Sequence, residues 1–160
     1  MTNPLSHPRQ IAYAVRDLSE TTLQSWRSTW GIGPFVTVHD VELASCRSSV
    51  DPEWFRHSSA YGQLGDLMIE LVVEHQTRRL GPTTGVHHIA HFVPDVERAI
   101  SHCTNIGWNV ALDATTVGGQ RFVMCDARAD LGHLVELYEP NEKLIAFYDH
   151  VRLLSDDTTT

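Results

Sequence analysis

Gln10-Ile11-Ala12-Tyr13-Ala14-Val15-Arg16-Asp17-Leu18 and His88-Ile89-Ala90-His91-Phe92-Val93-Pro94-Asp95-Val96 follow one pattern. Each is a polar residue with a ligand-type side chain, then an apolar run, then Asp and a branched apolar residue. A second pair follows in the same order: Met68-Ile69-Glu70-Leu71-Val72 and Leu134-Val135-Glu136-Leu137-Tyr138. An internal duplication is a statement about the fold, because each repeat is one structural unit packed against its copy. It places Gln10, Glu70, His88 and Glu136 at equivalent points of two half-domains.

The elements support that reading. Gln10 to Val15 is a short apolar run bounded by Pro8 and Asp17, which predicts a buried strand. Asp17-Leu18-Ser19-Glu20 is a helix start with an acidic first turn. Leu18, Thr22, Leu23, Trp26 and Trp30 then recur at helical spacing up to Gly31. Strands are predicted over Phe35 to Val41, Ser58 to Leu64 and Leu67 to Val73, and a loop from Cys46 to Trp54. The second half repeats this order. His88 to Val93 is a strand and Asp95 to Ile106 a helix, followed by strands over Trp108 to Asp113, Gln120 to Asp126 and Leu134 to Tyr138. Glu142 to Leu154 is a C-terminal helix with Leu144, Phe147, Tyr148, Val151 and Leu154 apolar. The organisation is one domain over residues 1–160. Module 1 spans about 8–75, a polar linker 76–85, module 2 about 86–140, and the last helix about 141–154. Module 1 is the longer by twelve residues between its paired positions, and the excess falls mainly around Arg47 to His57. An insertion in one loop is what a pocket wall looks like.

Composition narrows the function. At 160 residues the chain has room for one core. A net charge of −8 repels a phosphate backbone, so nucleic acid is not an expected partner. No apolar run approaches the roughly 18 residues that span a bilayer, and no signal-peptide pattern opens the chain, so a cytoplasmic location without membrane attachment is expected. Three cysteines without Cys-x-x-Cys spacing argue against a disulfide framework and a thiolate zinc site, and read as small apolar residues.

Glu70 and Glu136 each sit mid-strand between apolar residues. Burying a carboxylate there costs several kcal/mol unless it is paired or bound to a cation. Gln10, Glu70, His88 and Glu136 together offer an amide oxygen, two carboxylates and an imidazole. Four such donors leave two open positions on an octahedral first-row divalent ion, which is the arrangement of a catalytic metal acting as Lewis acid.

These segments, with Gly31-Ile32-Gly33-Pro34-Phe35, Gly65-Asp66-Leu67-Met68-Ile69-Glu70-Leu71-Val72 and Leu131-Gly132-His133-Leu134-Val135-Glu136-Leu137-Tyr138, resemble the vicinal oxygen chelate superfamily. It includes glyoxalase I, methylmalonyl-CoA epimerase, extradiol dioxygenases and the bleomycin-resistance proteins. The resemblance implies an α+β fold of two tandem βαβββ modules forming a half-barrel metal cleft. It implies one divalent ion (Zn, Ni, Co, Mn, Mg or Fe) on Gln10, Glu70, His88 and Glu136, a ligand set similar to that of glyoxalase I. Gly118-Gly119-Gln120-Arg121-Phe122 resembles an epimerase loop before a strand.

The implied activity is that of an isomerase, epimerase or lyase on a small oxygenated substrate. The ion would stabilise the enolate formed when a carboxylate removes an α-proton, with Glu136 the ligand that doubles as base and Glu70 opposite it. Tyr13, Trp54, Phe55, Gly118, Gly119, Arg121 and His133 are the candidate substrate contacts. A homodimer is expected by the same resemblance. Two other readings remain open: a metal-free sequestering protein of the bleomycin-resistance type, and an extradiol-type dioxygenase. The latter would need His87 or His91 beside His88, which strand alternation makes awkward.

Overall fold

The computed structural model describes residues 3–5, 7–48 and 54–157. The elements in order are β1 (Pro8–Ala14), α1 (Glu20–Trp30), β2 (Val36–Val38), β3 (Leu43–Ser48), β4 (His57–Leu64), β5 (Leu67–Glu74), β6 (Gly85–Phe92), α2 (Val96–Asn105), β7 (Val110–Thr116), β8 (Arg121–Cys125), α3 (Arg128–Leu131), β9 (Leu134–Tyr138) and α4 (Glu142–Asp156). The strands form one mixed sheet in the order β2-β4-β5-β1-β6-β9-β8-β7-β3, curled into a half-barrel.

The duplication is visible in the strand register. β1 runs parallel to β5 with Ala12 opposite Glu70, and β6 runs parallel to β9 with Ala90 opposite Glu136. Gln10 and His88 therefore each stand two residues before the partner of a glutamate. β1 and β6 join the two halves antiparallel. All four side chains lie on strands at the middle of the sheet, which fixes them more tightly than loops would.

Side-chain alternation sorts the sheet into two faces. On the outer face, Ile69 and Leu71 pack with Ile11, Tyr13, Leu23 and Trp26 under α1, while Val123, Val135 and Leu137 pack with Val96, Ala99 and Cys103 under α2. On the inner face, Leu112, Phe122, Met124 and Leu134 form one cluster. The helix starts follow their sequence signals: Ser19 caps α1 by accepting from the Thr22 amide, and Asp95 caps α2 by accepting from the Arg98 amide. Gly31 ends α1 in the left-handed region, at φ 68°.

The last helix docks on its own chain. Tyr148 and Val151, with Leu144 and Phe147, pack against Met68, Val36, Tyr61 and Phe92, so α4 covers the inner face of the first half-sheet. Cys103 and Cys125 are buried in the outer cluster and form no disulfide.

Three expectations need correction. The loop predicted from Cys46 begins instead as a strand: β3 pairs antiparallel with β7 at the far edge of the sheet, where Arg47 meets Asp113 at 2.9 Å. Its partner lies some seventy residues away, so nothing local announces the pairing. Residues 49–53 of that predicted insertion fall outside the described residues. The strand predicted to begin at Trp108 starts at Val110, because the Trp108 amide is spent closing α2 on the Cys103 carbonyl. The strand predicted to end at Val73 runs one residue further. Glu74 is the last residue of β5 and is buried, and the following chain folds back over it.

Candidate metal centre and cleft

Glu70, His88 and Glu136 converge at the centre of the half-barrel. One ligand atom from each lies within 4.8 Å of the others. His88 Nε2 stands 3.2 Å from Glu70 Oε2 and 2.9 Å from Glu136 Oε2. All three residues are at most 4% exposed, so their charges have left water almost completely. Burial pushes the His88 ring down, but the carboxylates of Glu136 and Glu70 outweigh it and hold the ring well above its usual range. Burial pushes Glu70 up, and the contacts from His88 and Ser59 outweigh that and keep it ionised below the usual carboxylate range.

The two carboxylates are held differently. Glu70 is tied: Ser59 Oγ donates to Oε1 at 2.5 Å, and Gln10 Nε2 donates to Oε2. Glu136 Oε2 is buried with no hydrogen-bond partner. The His88 Nε2 beside it, at 2.9 Å, acts on it chiefly through charge. A buried anionic oxygen without a donor is costly, and a cation is the partner such an atom lacks. The donor set fits a divalent ion for that reason: one imidazole and two carboxylates, one with a bare oxygen, and no thiolate.

Gln10 belongs to the same cluster. Its Nε2 lies 3.3 Å from His88 Nε2, and its Oε1 accepts from Tyr148 Oη at 2.7 Å. The amide therefore turns its nitrogen to Glu70 and its oxygen to α4. A half-turn of the amide plane exchanges them without moving the chain, since a phenol hydroxyl both donates and accepts.

The cluster forms the floor of a cavity of about 250 Å³. Its walls are mainly apolar and aromatic: Phe55, Phe122, Met124 and Tyr138 on one side, Tyr61, Phe147 and Tyr148 on the other. Burial, with the charges of Glu70 and Glu136, pushes the Tyr61, Tyr138 and Tyr148 hydroxyls up, so all three stay neutral donors. His57 also lines the wall. Burial lowers its pKa to about 4, and its Nδ1 has no partner.

Of the candidate substrate contacts, Phe55 and Gly118 line this cavity. Trp54 lines a shallower groove beside it, which shares Val41 and His57 with the cavity. Tyr13 points the other way and packs on Trp26. Arg121 is engaged by Asp113 and Glu97, and His133 Nδ1 contacts the Leu134 carbonyl. Neither lines the cavity, nor does Gly119, which makes the turn before β8 at φ 89°.

Sequence reasoning missed Ser59, His57 and Tyr148 as parts of the site. Ser59 and His57 carry a readable signal: they share one face of β4 with Tyr61, which lies opposite Glu70. Tyr148 carries none, because only the docking of α4 brings it to Gln10.

The family model described as Glyoxalase/Bleomycin resistance protein/Dioxygenase superfamily matches residues 9–124. The chain belongs to this superfamily. No curated protein matches the sequence significantly. Solved structures share the fold of the superfamily at low identity. Methylmalonyl-CoA epimerase from Mycobacterium tuberculosis is 17% identical, covering 91% of this chain and 95% of that one, with a TM-score of 0.59. A hypothetical protein from Bacillus halodurans C-125 is 19% identical over 85% of this chain and 95% of its own, with a TM-score of 0.60. A second methylmalonyl-CoA epimerase structure is 17% identical over 88% and 100%, with a TM-score of 0.55. Among the described residues no helix is long and apolar enough to cross a membrane.

Proposed function

We propose that the protein is a divalent-metal-dependent isomerase, epimerase or lyase that removes a proton from carbon next to a carbonyl group. The observation that carries this reading is the bare, buried Oε2 of Glu136 beside His88 and Glu70 at the floor of an apolar cavity. A divalent ion on Glu70, His88 and Glu136, with Gln10 beside them, would supply Lewis-acid charge to the substrate oxygens.

The chain's own residues divide the remaining work. Glu70 is held in place by Ser59 and Gln10, which suits a fixed ligand. Glu136 lines the cavity and its Oε2 has no hydrogen-bond partner, which suits the base that takes the proton there. The aromatic walls exclude water from the carbanion and leave room for an apolar substrate body. Two carboxylates and a neutral imidazole balance a dication, so the filled site favours a neutral or singly charged pair of neighbouring oxygens over a phosphorylated group. The superfamily also supports a homodimer, which light scattering would read directly.

The test is metal content by elemental analysis, followed by deuterium uptake into small α-hydroxyketones and acyl thioesters in D₂O, read by proton NMR. About one ion per chain, absent from His88→Ala, with exchange lost in Glu136→Gln, supports the proposal. Exchange that survives full chelation, or a protein that takes up no ion from any first-row divalent salt, overturns it.

A further inference from the structure

Behind His88 lies a buried chain of polar groups with no role in contacting a substrate. His88 Nδ1 stands 2.9 Å from His87 Nδ1. His87 Nε2 stands 2.7 Å from Glu74 Oε1. Glu74 is held in turn by the Leu80 amide at 2.9 Å, the Gly81 amide at 2.8 Å and the Gln76 side chain. His87 is 0% exposed and Glu74 4% exposed.

Neighbours on a strand point to opposite faces, so two consecutive histidine rings should not meet. Here the ladder between β1 and β6 slips. Ala12 pairs with His88 and Tyr13 with Val86, leaving His87 as the extra residue of a bulge. A bulge re-aims a side chain next to a site, and here it swings His87 behind His88. The loop from β5 is shaped to receive it. Gly81 passes so close that an added Cβ would lie 2.2 Å from His87 Cδ2.

The proton positions follow from counting. Two ring nitrogens at hydrogen-bond distance share one proton, since two would clash and none would repel. The Glu74 carboxylate only accepts, so His87 carries its proton on Nε2. A neutral His88 that gives its Nε2 lone pair to the cleft carries its proton on Nδ1, which leaves His87 Nδ1 as the acceptor.

We infer that Glu74 and His87 are positioning residues that hold the His88 ring with its proton on Nδ1 and its Nε2 turned into the cleft. The inference rests on His88 being the metal-binding histidine. Partners behind a ligating histidine set its tautomer and orientation, and removing them typically weakens metal binding about 10–100-fold.

The experiment is ¹⁵N NMR of the imidazole rings in the full chain, metal-free and with zinc ion alone, alongside zinc affinity by competition with a chelating dye. The wild type should show His87 protonated on Nε2 and bare on Nδ1 in both forms. His87→Phe should weaken zinc binding about 10–100-fold. Glu74→Gln, which keeps a side-chain oxygen to accept from His87 but loses stability where its amide nitrogen meets the Leu80 N–H, should retain most of the affinity and the His87 tautomer, whereas Glu74→Leu should lose both. Should Glu74→Leu fail to fold, His87→Phe and Glu74→Gln carry the test. A His87 protonated on Nδ1 in the metal-free wild type overturns the inference. So does wild-type zinc affinity in folded His87→Phe. Should the wild type bind no zinc, the metal reading fails, and the ring spectrum of the metal-free protein still decides where His87 holds its proton.

Discussion

Glu136→Gln should separate metal binding from folding. The substitution keeps the shape and removes one charge. In the metal-free protein His88 Nε2 lies 2.9 Å from Glu136 Oε2, an attraction of about 6 kcal/mol at an effective dielectric constant near 20. The Glu70 and Glu136 oxygens lie within 4.8 Å of each other, a repulsion of at least about 3.5 kcal/mol on the same scale. Losing both terms costs roughly 2 kcal/mol net. Against that stands the desolvation of a carboxylate, several kcal/mol, which the neutral amide avoids. The metal-free variant is therefore expected to be within about 1 kcal/mol of the wild type or more stable.

Metal binding should move the other way. Affinity should fall more than about 100-fold, beyond what removing an outer partner does. At metal 100 times the wild-type Kd, the wild type gains about 2.7 kcal/mol on unfolding and the variant almost nothing. Urea denaturation of chelated and cobalt-loaded protein measures both effects on one sample. A metal-free variant destabilised by more than about 3 kcal/mol that still binds cobalt like the wild type would refute the reasoning. It would make Glu136 a structural ion-pair partner.

Three further outcomes are expected. Burial lowers the His57 pKa from 6.5 to about 4, so the unfolded chain binds the proton more readily. Stability should be unaffected above pH 6.5 and decline by about 3 kcal/mol as pH falls towards 4, and His57→Phe should flatten that part of the chelated protein's pH–stability curve. Tyr148→Phe removes the hydroxyl that donates to Gln10 Oε1 and leaves a buried oxygen unsatisfied; turning the amide over would instead set that oxygen against the Glu70 carboxylate, so denaturant melts should show a loss of about 1–3 kcal/mol. Gly81→Ala would put a methyl 2.2 Å from the His87 ring, and should destabilise by about 1–3 kcal/mol or more by the same assay.

The sequence by itself determined the duplicated architecture and its four central residues. Apolar runs of strand length, Ser19 and Asp95 as helix caps, and two mid-strand glutamates are local features, because period and capping are written in adjacent residues. Strand alternation was enough to place Glu70 and Glu136 on one face with apolar neighbours. Other parts of the site depended on contacts between residues far apart in the chain. β3 became a strand only by pairing with β7, and Tyr148 entered the site only because α4 docks over Met68 and Phe92. The bulge that brings His87 behind His88 breaks the period-two rule that any sequence reading relies on. Glu74 reads locally as a polar residue just past a strand; its burial comes from the Leu80 and Gly81 amides folding back onto it. Local pattern chooses which side chains face inward, while long-range packing chooses which of them meet.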